Sequence, residues 1–182
     1  GTFNGEGTNH ATIENGTFQS TGSVTNSGTI ETGAFGGKVT NDTNATIETG
    51  IFNGEVTNSG TIKDGIFNGN VTNNNTISGG VFKDTYIVTN NGTITGDGSF
   101  NGTVTNNDGG TISGGTFQSM CSVVNSGNIN KGTFNGTVKN NATGYITGGT
   151  FKSTCSVTNT GIIKDGIFTI KVENGGIGEI FG

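Results

Sequence analysis

The 182-residue chain has no proline, no tryptophan, no leucine and no arginine, and only one histidine, one methionine and two cysteines. With Leu and Met absent or scarce and Val, Ile, Thr and Phe dominant, helices are set aside in favour of strands. Hydrophobic residues make up only 28% of the chain, which would suggest disorder, but charged residues are also few, at 12%. The net charge is −5, and all eight basic residues are lysines scattered singly. No basic stripe forms, so nucleic acid is not an expected partner. No apolar run approaches ~18 residues, so no segment reads as a membrane span. Two cysteines are too few for a disulfide framework. The sequence starts without Met and without a charged–apolar–small leader pattern, so the reading expects a mature product or an excised segment.

What is present is repetition. Residues 50–73 read GIFNGEVTNSGTIKDGIFNGNVTN, one phrase said twice. Phenylalanine anchors it: Phe3, Phe18, Phe35, Phe52, Phe67, Phe82, Phe100, Phe117, Phe134, Phe151 and Phe168, in steps of 15, 17 or once 18 residues. A Val follows each Phe from Val24 to Val172, through Val56 and Val71, and Gly7 takes that place in the first copy. An Ile follows each Val, from Ile13 to Ile180 through Ile62 and Ile77. Two residues beyond Val stands Asn, including Asn26, Asn41, Asn58 and Asn73.

The spacings carry the argument. Phe to Val is four or six residues, and Val to Ile is six or eight. Even steps along an extended chain keep all three side chains on one face. Ile to the next Phe is five residues, once six, so the chain must turn there. A Gly always lies two before Phe, which suggests a corner with positive φ. The Asn parity points inward, where the residue suits a left-handed corner and its amides can stack as a ladder.

Each phrase is therefore read as one coil of an all-β, parallel β-solenoid (β-helix). The expectation is three short strands per coil, about eleven coils of 15–18 residues, and a triangular cross-section. Residues 1–182 form a single array. Coils ~4.8 Å apart give a rod of roughly 50 Å. Gly1 is the corner Gly two before Phe3 and Gly182 stands one residue before the next corner, so the ends are expected to be uncapped, with the α-amine of one copy able to meet the α-carboxylate of another.

Candidate sites are few. His10 has no nucleophile beside it, and tight corners leave no cleft, so neither an enzyme nor a cofactor is expected. Glu14, Glu31 and Glu48 each follow the column Ile, stacking three carboxylates that either bridge a divalent cation or stand solvated, with Lys63 next in line. Cys121 and Cys155 fall at equivalent inward places two coils apart, as buried thiols or as a candidate disulfide across the short arm between them. Thr precedes the column Ile in Thr29, Thr46 and Thr61, and follows the column Val in Thr25, Thr40 and Thr57. Such rows resemble the faces of antifreeze solenoids, although Glu, Lys and Ser break the second column there. Asn-x-Ser/Thr sequons recur, as at Asn15, Asn41, Asn44, Asn70, Asn74 and Asn91, as expected by chance in a chain this rich in Asn and Thr.

The rotation Gly-x-Phe, Val-x-Asn, Gly-x-Ile resembles the β-solenoid repeats of bacterial surface proteins, namely autotransporter passengers and filamentous haemagglutinin-like adhesins. That resemblance implies an extracellular or cell-surface location. Two functions follow as expectations. One is a structural subunit that stacks on itself head to tail into a filament or sheath. The other is a stalk or adhesive segment of a larger adhesin, with a surface glycan or host ligand as partner. An ice-binding rod is a third.

Overall fold

A computed structural model describes residues 1–19, 22–83 and 85–182 and contains no helix among them. One coil shows the plan. Val56–Asn58, Thr61–Ile62 and Ile66–Phe67 are three short strands separated by tight turns. Every strand pairs in parallel with its counterpart one coil away, in register: Val56 with Val71, Ile62 with Ile77, Phe67 with Phe82. The Val-Thr-Asn strands form one sheet of eleven strands, and the Ile and Phe strands together form a second sheet of twenty. The protein is a parallel β-solenoid, as the repeat predicts. One refinement concerns the turn between Ile and Phe. In Thr29–Phe35 and Thr46–Phe52 the strand bends through it without a break.

The interior consists of the expected columns. Phe18, Phe35, Phe52, Phe67, Val56, Val71, Ile62 and Ile77 are all buried. Successive Phe rings run the length of the rod with centroids 4.5–5.0 Å apart and planes within 12° of parallel. Ring faces in contact are closer than that, so the rings are offset along the stack, the arrangement their quadrupoles favour. The coil spacing of the sheet thus sets the ring spacing.

Asn forms the fourth column. The Nδ2 of Asn41 donates to Oδ1 of Asn58 at 2.8 Å, Asn58 donates to Asn73 at 2.9 Å, and the chain of bonds continues from Asn9 to Asn174. Each Nδ2 also donates to backbone carbonyls, as Asn58 does to Gly60 O and Thr76 O. Among the described residues no buried side-chain polar atom lacks a partner. A buried amide left unpaired would cost about 1–3 kcal/mol, so the ladder is what makes a polar column tolerable inside.

Two corner expectations need correction. Ladder asparagines are absent from the positive-φ residues, among which Asn44 is the only Asn. The ladder position is held by hydrogen bonding, not by a left-handed backbone. The Gly two before Phe has positive φ in some coils, as at Gly80 (122°), but not at Gly33 or Gly50. There the reason is contact: a Cβ on Gly33 would stand 2.4 Å from the Phe35 ring, and one on Gly50 2.9 Å from the rings of Phe35 and Phe52. The ring lies directly under the corner, so no side chain fits.

Candidate interaction surfaces

With the interior filled, chemistry is left to the outer faces and the two end coils. His10 is exposed. The stacked carboxylates do not form a metal centre: among the described residues no three His, Cys, Asp or Glu side chains gather closely enough to hold an ion. The column at Glu14, Glu31 and Glu48 ends in an ion pair, with Lys63 Nζ 2.8 Å from Glu48 Oε1.

Cys121 and Cys155 are buried free thiols, on the inward side that parity assigns them. The coil between them passes through the gap. Thr137 N donates to Cys121 O at 2.9 Å, and Ser156 N donates to Gly136 O at 3.2 Å. Gly136 is pressed so close that a Cβ would lie 2.0 Å from Cys121 O. Burial pushes the thiol of Cys121 up to about 12 and that of Cys155 to about 11. Both side chains act as small apolar groups that fill the longer Phe–Val arms.

The threonine rows exist in full register, Thr29 beside Thr46 and Thr61 beside Thr76 in one sheet, Thr40 beside Thr57 and Thr72 in the other. They belong to two different sheets that meet at the Asn corner, so they do not make one flat double row. Of the sequon asparagines, Asn41 is buried in the ladder, whereas Asn15, Asn44, Asn70, Asn74 and Asn91 are exposed.

The outer face also carries a groove that the repeat analysis does not foresee. It follows the bend between Ile and Phe, with the corner glycines Gly33, Gly50 and Gly65 as its floor, and has a volume of about 430 Å³. One wall is polar, with Thr32, Thr49 and Asp64. The other wall is the residue just before Phe: Ala34, Ile51, Ile66 and Val81, aligned coil by coil. Ile51 is 44% and Ile66 38% exposed. Further along, a second groove lies over Gly115, Gly132 and Gly149, and there the residues just before Phe are Thr116, Thr133 and Thr150. The signal was in the sequence as GAF, GIF, GIF, GVF in four successive phrases. Only the groove beside them makes those four residues notable.

The end coils expose the column residues. Phe3 is exposed at one end and Ile180 at the other, where the non-column Phe181 beside it is also exposed. The ladder has direction, because each Nδ2 points to the next coil. Asn174 therefore ends it with a donor, which turns to Gly178 O, and Asn9 begins it with an acceptor, whose Oδ1 receives Ala11 N. The first coil has a hollow of about 30 Å³ over Gly7, ringed by Phe3, Ile13, Phe18 and Val24. In the last coil, Ile170 stands where every other four-residue Phe–Val arm carries Gly, and it packs partly against the core. The amine of Gly1 donates to Asn15 O at 2.9 Å, one coil inward.

No helix among the described residues is long and apolar enough to cross a membrane. Comparison with protein families, with curated proteins and with solved structures finds no match to this chain.

Proposed function

We propose that the protein is a non-catalytic structural rod of the cell exterior that lengthens by stacking the last coil of one copy on the first coil of the next. The observation that carries this reading is the fit of the two end coils. Each presents the same row of Phe, Asn and Ile in the same register. Parallel strands leave unpaired donors and acceptors on both ends, and the polarity of the Asn ladder sets a donor against an acceptor at the joint. A head-to-tail contact of this kind does not close on itself and propagates.

The test is negative-stain microscopy of the purified chain. Fibres many times longer than one rod are expected. Single short rods at every concentration would sink the reading. The groove favours a second reading, a stalk or adhesive segment in which further coils of a longer chain cover the ends and a glycan or host ligand lies along the outer face. In that case the purified chain stays as single rods.

A further inference from the structure

We propose that Ile170 restrains end-to-end growth by holding the Val-x-Asn strand of the last coil out of register, so that a further coil docks fully only once that strand has closed. This rests on the head-to-tail reading and names what regulates the joint.

The short Phe–Val arm has no room for a side chain at this position. Gly54, Gly69, Gly102 and Gly136 stand two residues after Phe, as Ile170 does. Each lies directly over a carbonyl of the coil before it. A Cβ would come 2.3 Å from Gly37 O at Gly54 and 2.2 Å from Gly54 O at Gly69. At Gly102 it would come 2.2 Å from Tyr86 O, and at Gly136 2.0 Å from Cys121 O. These neighbours are backbone atoms of a packed sheet and cannot swing aside as a side chain can. Any residue other than Gly therefore forces the arm off the coil beneath. Under Ile170 that coil carries the long arm with Cys155, the counterpart of the Cys121 arm under Gly136.

The last coil shows the displacement. After Gly136 the strand Thr137–Asn140 pairs over its four residues with Ser122–Asn125, and Thr137 N donates to Cys121 O at 2.9 Å. After Ile170 the strand shrinks to Glu173–Asn174, paired with Thr158 and Asn159. Val138 and Val157 are buried, whereas Val172 is half-buried, and Ile170 packs partly against the core. An open end does not account for this. The first coil is also open on its outer side and lacks Val, yet Gly7–Asn9 pairs over its three residues with Val24–Asn26.

The defect is local. Phe168 still stacks on Phe151 at 4.5 Å, Asn159 still donates to Asn174 at 2.9 Å, and Ile180 still pairs with Ile163. Three rows are thus ready to receive the first coil of the next copy, and the fourth is displaced. Docking begins on the three rows and is completed only when Lys171 and Val172 close onto the rod, which Ile170 opposes.

Ile170→Gly and Ile170→Ala test this together. The conflict begins at Cβ, so only Gly relieves it, whereas a simple loss of apolar contact would act in both variants. The first readout is hydrogen exchange of the Lys171 amide, the counterpart of Thr137 N, followed by NMR in dilute single rods. Exchange should be at least about tenfold slower in Ile170→Gly than in the native protein or Ile170→Ala. The second is the concentration at which fibres appear, measured by sedimentation. It should fall about tenfold for Ile170→Gly and stay unchanged for Ile170→Ala. Exchange at Lys171 that is equal in the native protein and Ile170→Gly would overturn the proposal. So would an equal response of the Gly and Ala variants, or fibres of Ile170→Gly that appear at the native concentration. If Lys171 is slowed in Ile170→Gly and neither that variant nor the native protein forms fibres, the displacement by Ile170 stands and the head-to-tail reading itself fails.

Discussion

Two grooves lie along the outer face of this rod, each over a stretch of corner glycines. Between Gly33 and Gly65 the wall beside the floor is Ala and Ile, and between Gly115 and Gly149 it is Thr. Beneath both, the Phe stack continues without change, with ring centroids at 4.8 Å for Phe52–Phe67 and 4.7 Å for Phe117–Phe134. The interior is constrained because every coil must match its neighbours, so a change in one row disturbs two others. The outer positions are constrained only by strand propensity, and that is where one part of the rod can differ from another.

Mutations should separate the two layers. The largest effect is expected inside and should be equal in both stretches. Phe67→Ala and Phe134→Ala each remove a fully buried ring from a stack and should cost about 3–5 kcal/mol in chemical denaturation. A marked difference between them would mean that the two stretches are not one continuous core. Next comes the ladder. Asn73→Ala removes bonds to Asn75 O, Asn90 Oδ1 and Thr93 O and leaves buried partners unpaired, a loss of about 2–3 kcal/mol. Asn91→Ala, on the exposed surface with its own bond to Asn74, should change stability by no more than about 0.5 kcal/mol. Gly33→Ala forces a methyl into the Phe35 ring and should cost about 1–3 kcal/mol, measured by the same denaturation.

A pH effect should belong to the second stretch alone, because only that stretch holds the thiols. Burial raises both thiols above the ordinary value of 9.0, so the unfolded chain ionises first as pH rises. Their contribution is therefore intact below about pH 9 and is lost progressively as pH rises through 11 and 12. Replacing both with Ala should flatten the alkaline loss of stability relative to the unmodified protein, with no such difference at pH 7. The smallest effect is expected on the outer wall. Ile66→Thr in the first stretch and Thr133→Ile in the second should each shift stability by no more than about 0.5 kcal/mol.

The same division explains what was legible in the sequence. The columns of Phe, Val, Ile and Asn followed from even spacing alone, since parity on an extended chain decides which side a residue faces. The need for Gly at the bend was visible too, but not its cause. Parity cannot show that the Phe35 ring lies under Gly33, so a positive φ was inferred where ring contact is the reason. For Asn, hydrogen bonding along the rod was foreseen and the left-handed corner was not found. The stacked carboxylates illustrate another limit. Adjacency in register is readable, but convergence on a point is not, and among the described residues Glu14, Glu31 and Glu48 form no ion-binding cluster. The wall of Ala34, Ile51, Ile66 and Val81 was spelled out in four successive phrases, but the groove beside it exists only once the chain has bent.

Fibre diffraction from aligned specimens of the purified chain tests the central claim, that coils stack in register both within a rod and across its ends. A sharp meridional reflection at about 4.8 Å is expected, with layer lines at about 53 Å, the length of eleven coils. A pattern without the 4.8 Å meridional reflection, or with an axial period unrelated to eleven coils, would contradict it.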